Sequence, residues 1–410
     1  MRVNKTDDRA AGPPKPGRNG FRTRGRPDRE PPCVVPFGTS PSQAPDCLFP
    51  HRIRVMDERI QEHARTLLNW STDVQRDDDV VIAAGPEAHD LVVALHRELG
   101  DRGANPMTLY SSGEASRAHL KAHDGDFSLP EHTLALYEAC DVAIHVRSSP
   151  NLAALNDVSG TRLAERSRAH KPIIEERLSK RWCLTQHPTN AHAQAADLPL
   201  GAYRDFVYGA ILRDWAAVEE YQEELRRRLE EARTVRVVAG ETDVQMSVEH
   251  MHAINSAGRH NMPSGEVFTA PVPDSVEGTV HFDKPLIHQG REMEGVRLRF
   301  EGGEVVESAA ERNEEALDDL LDADDGARRL GELGIGTNRE IDRFTKNMLF
   351  DEKMGETVHL ALGRAYDANV GEGQTGNDSA VHVDMILDTS AGRIEFDGEV
   401  IQEGGQFVWE

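Results

Sequence analysis

Residues 79–103, DVVIAAGPEAHDLVVALHRELGDRG, run from an apolar strand through a turn into a helix-forming segment. A further short strand is predicted in PMTLYSS at 106–112, directly after that helix. Apolar strands that alternate with helices are typical of a parallel sheet whose two faces are covered by helices. The first half of the chain is therefore predicted to form an α/β layer.

The same alternation continues as far as residue 233. CDVAIHVRSS at 140–149 is predicted to be a buried strand, and PLGAYRDFVYGAILRDWAAVEEYQEELRRRLEEART at 199–234 is predicted to be a helical run without internal proline. The turn Ala84-Gly85-Pro86 lacks the G-x-G-x-x-G spacing of a dinucleotide site, so we interpret it as a structural turn. We expect residues 56–233 to form an α/β domain with a mostly parallel sheet.

The pattern changes after Thr234 to short strands separated by glycine turns. The predicted strands are VRVVAG, DVQMSV, GEVFTAP, EGTVHFD and VRLRFEGGEVVE, and later SAVHVDMILD, GRIEFDGEVI and QFVWE. A helix, ERNEEALDDLLDADDGARRLGE at 311–332, is predicted between them. Strand hairpins with an interposed helix predict an α+β domain over residues 234–410, with a mixed or antiparallel sheet.

Residues 1–55 differ in composition from the rest. They hold ten of the 21 prolines and 11 basic against 5 acidic residues, and they lack the apolar h-region of a secretory signal. Because an amphipathic helix, MDERIQEHARTLLNWST, opens at Met56, we expect residues 1–55 to be a disordered extension translated upstream of the native start. A basic transit peptide or a nucleic-acid-binding arm is the alternative.

The whole chain of 410 residues is strongly acidic, with a formal net charge of −24 and only eight lysines. Such a charge argues against nucleic acid as a partner, because a phosphate backbone needs a positive face. An acidic, lysine-poor surface favours a halophilic source, since molar salt screens the self-repulsion. The sequence has no run of about 18 apolar residues to span a bilayer, and its four cysteines are scattered. We therefore expect a soluble cytoplasmic protein with reduced thiols.

The segment AVHVDMIL places His382 and Asp384 two residues apart in an apolar, β-branched run. Side chains at positions i and i+2 of a strand point to the same side, so an imidazole and a carboxylate would converge there. The pair alone is also typical of a surface histidine beside an acidic residue. Its interpretation as a metal site therefore depends on further ligands.

A second histidine comes from GETVHLALGRAYDAN. His359 and Tyr366 lie seven residues apart, or two helical turns, which would place both on one face if the segment is helical. A phenol beside a divalent metal can donate a hydrogen bond to the oxyanion of a tetrahedral intermediate. The alternative is that both are core residues with satisfied hydrogen bonds.

Two glutamates next to glycines complete the candidate set, Glu266 in NMPSGEVFTAP and Glu332 in RRLGELGIG. A glutamate that opens an apolar strand is costly to bury unless it is paired or bound to a metal. Five nitrogen and oxygen ligands without cysteine suit one or two divalent ions such as zinc, cobalt, manganese or magnesium. The carboxylates would allow a dinuclear site with one of them bridging.

Together, these strings resemble the aminopeptidase T and aminopeptidase S family of metallo-aminopeptidases, particularly its archaeal leucyl aminopeptidase-like members. The matching strings, in chain order, are NMPSGEVFTAP, RLGELGIG, LFDEKMGETVHLALGRAY and SAVHVDMIL. The resemblance extends from Met56 to the C-terminus and is strongest from Thr234 on. With the acidic composition, it indicates a haloarchaeal member.

The resemblance implies a homodimeric aminopeptidase that releases N-terminal, leucine-like residues from peptides through a metal-activated water. It implies two divalent ions held by Glu266, Glu332, His359, His382 and Asp384. It also implies that Tyr366 is the catalytic tyrosine and Glu352 the catalytic glutamate. The segment EKMGETV before His359 is two residues longer than the bacterial pattern, which leaves Glu356 as an alternative to Glu352.

Two other classes of function stay open from the sequence. His359, His382 and Asp384 alone form a 2-His-1-carboxylate set, which in ring-cleaving dioxygenases of similar scaffold would hold a mononuclear non-haem Fe(II). Glu266 and Glu332 argue against this class, because a mononuclear iron site would not require them. The other class is a binding or regulatory protein that kept the fold and lost activity, and the complete set of ligand types argues against it.

Overall fold

The helices and strands are numbered in chain order. The computed structural model describes residues 57–288 and 290–410, so the expectation for residues 1–55 lies outside the described part. The α-helices are α1 (Glu58–Thr66), α2 (His89–Arg102), α3 (Gly113–Ala122), α4 (Glu131–Ala139), α5 (Gly160–Leu178), α6 (Asn190–Ala195), α7 (Leu200–Ile211), α8 (Trp215–Glu231), α9 (Glu314–Leu321) and α10 (Met348–Asp351). The strands are β1 (Asp79–Ala84), β2 (Asn105–Tyr110), β3 (Val142–Arg147), β4 (Arg181–Gln186), β5 (Thr234–Ala239), β6 (Thr242–Ser247), β7 (Ile254–Ser256), β8 (Asn261–Met262), β9 (Glu266–Thr269), β10 (Glu277–Phe282), β11 (Leu286–His288), β12 (Arg291–Met293), β13 (Val296–Glu301), β14 (Glu304–Ala309), β15 (Leu330–Gly336), β16 (Thr357–Gly363), β17 (His382–Asp388), β18 (Arg393–Phe396), β19 (Glu399–Glu403) and β20 (Gln406–Phe407).

The first half of the chain forms a parallel sheet. Its strand order is β2-β1-β3-β4-β8, and every neighbouring pair is parallel. Apolar residues of α2, including Leu91 and Leu95, pack with Val80 and Ile82 of β1 in one buried cluster. The predicted α/β layer is therefore confirmed.

Two predicted helices are shorter than expected. The run at 199–234 divides into α7 and α8, because the Asp214 side chain accepts a hydrogen bond from the Ala217 N–H at 3.1 Å and caps a new helix. The prediction of a helix over 311–332 is wrong beyond Leu321. The Asp324 carboxylate accepts the N–H groups of Gly326 and Ala327 in a turn, and residues 330–336 then form β15.

Antiparallel sheets make up the second half. One has the order β14-β13-β10-β6-β5-β18-β19-β20, another has the order β17-β16-β15-β9-β7, and β11 and β12 form a separate hairpin. The α+β architecture predicted for this half is confirmed, with sheets that are antiparallel throughout.

These two larger antiparallel sheets share one core. Leu333 and Leu360 of the five-stranded sheet belong to the same buried cluster as Val237, Val244 and Val280 of the eight-stranded sheet. Because side chains alternate along a strand, residues next to these in sequence lie on the opposite face of the five-stranded sheet. That opposite face carries the site described below.

The chain returns once to the parallel sheet. After β7, the short strand β8 pairs with β4, with Asn261 opposite Leu184 and Met262 opposite Thr185. Glu266 follows after three residues and opens β9. The end of the parallel sheet is thus joined closely to the strand that bears the first predicted metal ligand.

Two observations bear on the environment of the protein. Cys140 and Cys183 are buried free thiols, and burial raises the pKa of both. Within the described ranges, no helix has both the length and the apolar character that crossing a membrane requires.

Candidate metal centre

The five predicted ligands lie on the face of the five-stranded sheet that is turned away from the core shared with the eight-stranded sheet. Glu266 opens β9, Glu332 is on β15, His359 is on β16, and His382 and Asp384 are on β17. Their strand neighbours Leu333, Leu360 and Val383 face the core instead. The structure thus brings together side chains that are spread over more than 100 residues of the sequence.

Small residues leave room for these side chains. Gly334 of β15 pairs with His359 of β16, and Gly336 pairs with Glu266. A Cβ atom on Gly334 would lie 2.0 Å from atoms of the His359 ring, where no side chain fits. Gly334 therefore forms the floor against which the His359 imidazole packs.

Three of the side chains form a close group. The ligand atoms of Glu332, His382 and Asp384 all lie within 4.8 Å of one another. His382 Nε2 is 3.4 Å from Asp384 Oδ1 and 3.6 Å from Glu332 Oε2. His382 Nδ1 lies 2.7 Å from the carbonyl oxygen of Arg364, which fixes the ring so that Nε2 faces the carboxylates.

His359 joins this group to Glu266. Its Nε2 is 3.0 Å from Glu332 Oε1 and 3.7 Å from Glu266 Oε2. Only 1% of the His359 surface and 5% of the surfaces of Glu266 and Glu332 are exposed. The five side chains therefore form a continuous cluster, in which His359, Glu266 and Glu332 are buried and His382 and Asp384 are partly exposed.

The chemistry of this cluster fits a divalent cation. Among the described residues, Glu332 Oε2 and His359 Nδ1 are buried without a hydrogen-bond partner. Burial raises the pKa of Glu266 and of Glu332, because a charged carboxylate loses its hydration in the interior. Burial lowers the pKa of His359, but the hydrogen bond to Glu332 and the negative charges of Glu266, Glu332 and Asp384 together outweigh burial and raise this pKa to about 10. A metal ion would satisfy these groups, because carboxylates and imidazoles are its usual ligands.

Glu352 borders the cluster, whereas its rival does not. Glu352 follows α10 and lines the same cleft as Glu266, Glu332, His382 and Asp384. Glu356 is exposed, has a positive φ of 64°, and lines a separate cavity with Lys284 and Arg343. Of these two glutamates, only Glu352 is positioned to act in the cleft.

Lys353 is a site residue that the sequence analysis missed. It is completely buried, and its ammonium pairs with Glu266 at 3.3 Å and, at closer range, with Glu352. Burial lowers the pKa of Lys353, but the charges of Glu266 and Glu352 and the hydrogen bonds to them together outweigh burial and raise this pKa. The lysine is thus held as a cation between a predicted ligand and the predicted catalytic glutamate.

Tyr366 lies at the site, but in a loop and not on the helix that the sequence suggested. The helix considered for His359 and Tyr366 is wrong, because residues 357–363 form β16 and Tyr366 lies in the loop that follows. Its ring centroid is 4.8 Å from that of His382. Burial of the hydroxyl and the charges of Glu332 and Asp384 raise the pKa of Tyr366, so the phenol stays protonated.

A cleft of about 430 Å³ is lined by Glu266, Glu332, Glu352, Tyr366, His382 and Asp384. Its other walls are largely apolar or aromatic and include Trp182, Ile254, Phe268 and Ala368. Trp182 belongs to β4 of the parallel sheet, so both halves of the molecule contribute to the cleft. An apolar side chain can therefore lie beside the buried carboxylates.

Buried carboxylates and imidazoles that converge on an open cleft are typical of a metal-dependent enzyme. Residues 56–407 match the family of thermophilic metalloproteases (M29), and the chain belongs to that family. Aminopeptidase 2 of Geobacillus stearothermophilus is 28% identical, with 86% of this chain and 98% of the relative covered. Aminopeptidase T of Thermus aquaticus is 29% identical, with 85% and 96% covered.

A solved structure agrees with this assignment. Wild-type AmpT from Thermus thermophilus superimposes with a TM-score of 0.76 and 26% identity, over 86% of this chain and 99% of that chain. The chain is therefore a metal-dependent aminopeptidase, as the resemblance of its motifs predicted, and it binds divalent metal. The alternative of a ring-cleaving dioxygenase finds no support in these similarities.

Proposed function

We propose that this aminopeptidase removes leucine-like residues, with broad tolerance, from peptides that have a free N-terminus. The observation that carries the proposal is that four ligand-type side chains line one cleft with Glu352 and Tyr366, while the fifth, His359, contacts Glu266 and Glu332. Apolar wall residues such as Phe268 and Ile254 favour an aliphatic side chain at the first substrate position. The carboxylates beside them favour the positive α-amino group.

In this proposal Glu266, Glu332, His359, His382 and Asp384 hold up to two divalent ions. Zinc, cobalt, manganese and magnesium all accept such nitrogen and oxygen donors. When bound there, a divalent cation lowers the pKa of water and polarises a carbonyl group. Which of these ions binds in the cell depends partly on metal availability, so the ligands favour this group of divalent ions and do not select one of them.

Glu352 acts as the general base and then as the general acid. It lines the cleft without belonging to the ligand cluster, so its carboxylate is available to take a proton from the attacking water. The same carboxyl group then gives a proton to the departing amine. The ion pair with the Lys353 ammonium holds this carboxylate in place.

Tyr366 supplies a hydrogen-bond donor for the oxyanion. Its raised pKa keeps the phenol protonated, and its ring lies against His382 at the edge of the cluster. A protonated phenol at this position can stabilise the negative charge that develops on the carbonyl oxygen.

We further propose a homodimeric, cytoplasmic protein from a halophilic, haloarchaeal source. The net charge of −24 supports adaptation to molar salt and argues against nucleic acid as a partner. The buried free thiols suit a reducing compartment. Residues 56–233 and 234–410 are proposed as the α/β domain and the catalytic domain, after an extension at 1–55.

The test is hydrolysis of leucine p-nitroanilide in molar potassium chloride, before and after removal of metal by a chelator. We expect activity to disappear with the chelator, to return with cobalt, zinc, manganese or magnesium, and to be absent with the N-acetylated substrate. Cleavage of the acetylated substrate at the same rate would contradict recognition of a free N-terminus. No cleavage with any of the metals would overturn the proposed function.

A further inference from the structure

The ligand cluster has two unequal halves. The half formed by Glu332, His382 and Asp384 brings its ligand atoms within 4.8 Å, and the ion pairs described for these residues are made with histidines. In the other half, the ammonium of Lys353 already occupies a position 3.3 Å from Glu266 Oε1. The Lys353 ammonium therefore already binds the Glu266 carboxylate that a second metal ion would need as a ligand.

The position of Lys353 is costly to create and so requires an explanation. A fully buried ammonium loses its hydration, and carboxylate partners with good geometry are needed to offset that loss. Lys353 has two such partners, Glu266 and Glu352. Only one of them, Glu266, belongs to the predicted ligand set.

We propose that Lys353 is a built-in cation that makes the two metal positions unequal. The first ion binds tightly at Glu332, His382 and Asp384, and the second binds near Glu266 only by displacing the Lys353 ammonium from that carboxylate. Glu352 remains as the partner of the displaced ammonium, so the lysine need not leave the buried site. This inference rests on the proposed function, because it concerns the metal ions that the aminopeptidase would use.

The charges explain why the two ions must differ. Four carboxylates, those of Glu266, Glu332, Glu352 and Asp384, line this small region. The first divalent ion and Lys353 offset most of that negative charge. A second divalent ion is repelled by the ammonium at short range in a region that water screens poorly, and this repulsion weakens the second binding step.

The experiment is a cobalt titration of chelator-treated protein, followed by calorimetry and by the visible absorption of bound cobalt. For the wild-type chain we expect two steps, the second at least tenfold weaker than the first. In Lys353→Met the second step should tighten at least tenfold, while the first changes less than threefold. Lys346→Met, which removes an exposed lysine paired with Glu292, is the matched control and should change neither step.

The outcomes separate this inference from the proposed function. Two equally tight steps in the wild-type chain would overturn the inference even if the variant does not fold. A second step that is unchanged in both Lys353→Met and the more polar Lys353→Gln would overturn it as well. In either case the aminopeptidase assignment stands, whereas protein that binds no cobalt at all would contradict the proposed metal site.

Discussion

Gly334 shows how the site depends on a residue that has no functional group. The His359 ring fills the space that a side chain at position 334 would need, so any side chain there must displace the imidazole. Lys353 shows the opposite case, a charged residue inside the protein. Lysine is almost never fully buried, so the sequence EKMGETV gives no reason to place Lys353 inside the site.

Gly334→Ala tests the dependence of His359 on its floor. Because the added Cβ would lie 2.0 Å from the ring, we expect at least a tenfold loss of zinc affinity and a loss of about 1–3 kcal/mol in the free energy of unfolding. Zinc titration and urea unfolding measure the two effects. Gly100→Ala in α2 is the control, since nothing lies within 4 Å of its added Cβ, and unchanged zinc binding in both variants would contradict the argument.

Glu352→Gln and Glu356→Gln distinguish the two candidate general bases. We expect Glu352→Gln to lower kcat by about a hundredfold to ten-thousandfold with metal content intact, because proton transfer is lost and no ligand is removed. Glu356→Gln should retain near-normal kcat, since Glu356 is exposed in another cavity. Steady-state kinetics and metal analysis of both variants measure these effects. A large loss of kcat in Glu356→Gln but not in Glu352→Gln would make Glu356 the general base.

Tyr366→Phe removes a hydroxyl group and leaves the ring. If the phenol stabilises the oxyanion, kcat should fall by about a hundredfold or more while KM changes little. Tyr366 is 48% exposed, so the variant should fold as the wild type does. A change confined to KM would instead assign Tyr366 to substrate binding.

At the scale of elements, strand alternation explains most of the site. The spacing of His382 and Asp384 correctly indicated a strand with both side chains on one face. The same rule applied to HLALG would have placed His359 on a strand, but the seven-residue spacing to Tyr366 suggested a helix. The alternation in HLALG and the seven-residue spacing thus predicted different structures. The segment forms a strand because β16 pairs with both β15 and β17.

Helix α8 packs against β7 and β9 and is hydrogen-bonded to both strands. The buried amide of Gln222 donates hydrogen bonds to the Glu266 carbonyl oxygen at 2.9 Å and to the Asn255 side chain at 2.9 Å, and accepts one from Thr337 at 3.1 Å. No short sequence motif announces these contacts, because they join residues more than 30 positions apart. The helix was predictable, but its role in fixing Glu266 was not.

Gln222→Leu should therefore weaken both the fold and the metal site. Leaving the partners of the amide unpaired in the interior costs about 1–3 kcal/mol of unfolding free energy, and Glu266 should lose its fixed position. Urea unfolding and zinc titration measure these losses. Glu220→Gln, an exposed position on the same helix, provides the control. Equal behaviour of the two variants would show that α8 does not fix the site.

At the scale of the whole molecule, charge is the dominant property. The fold class followed from the order of strands and helices, whereas the sheet pairings join segments too distant for local patterns to reveal. The net charge of −24 was readable directly, and its consequence is mutual repulsion across the surface. Screening of that repulsion is most effective at high salt.

The thermal unfolding midpoint should accordingly rise when potassium chloride is increased from about 0.1 M to about 2 M, because the Debye length shortens from about 10 Å to below 3 Å. Differential scanning calorimetry measures the change. A neutral osmolyte at equal osmolality is the control, since it does not screen charge. A midpoint that responds to both solutes alike would assign the effect to water activity.

The short strand β8 restricts how this protein can be divided. It completes the edge of the parallel sheet with residues that lie only three positions before Glu266. A fragment that begins at residue 234 would keep all five predicted ligands but leave β8 without β4 and the cleft without Trp182. Residues 234–410 are consequently not a self-contained unit, and transferring them to another scaffold would require the parallel sheet to be transferred as well.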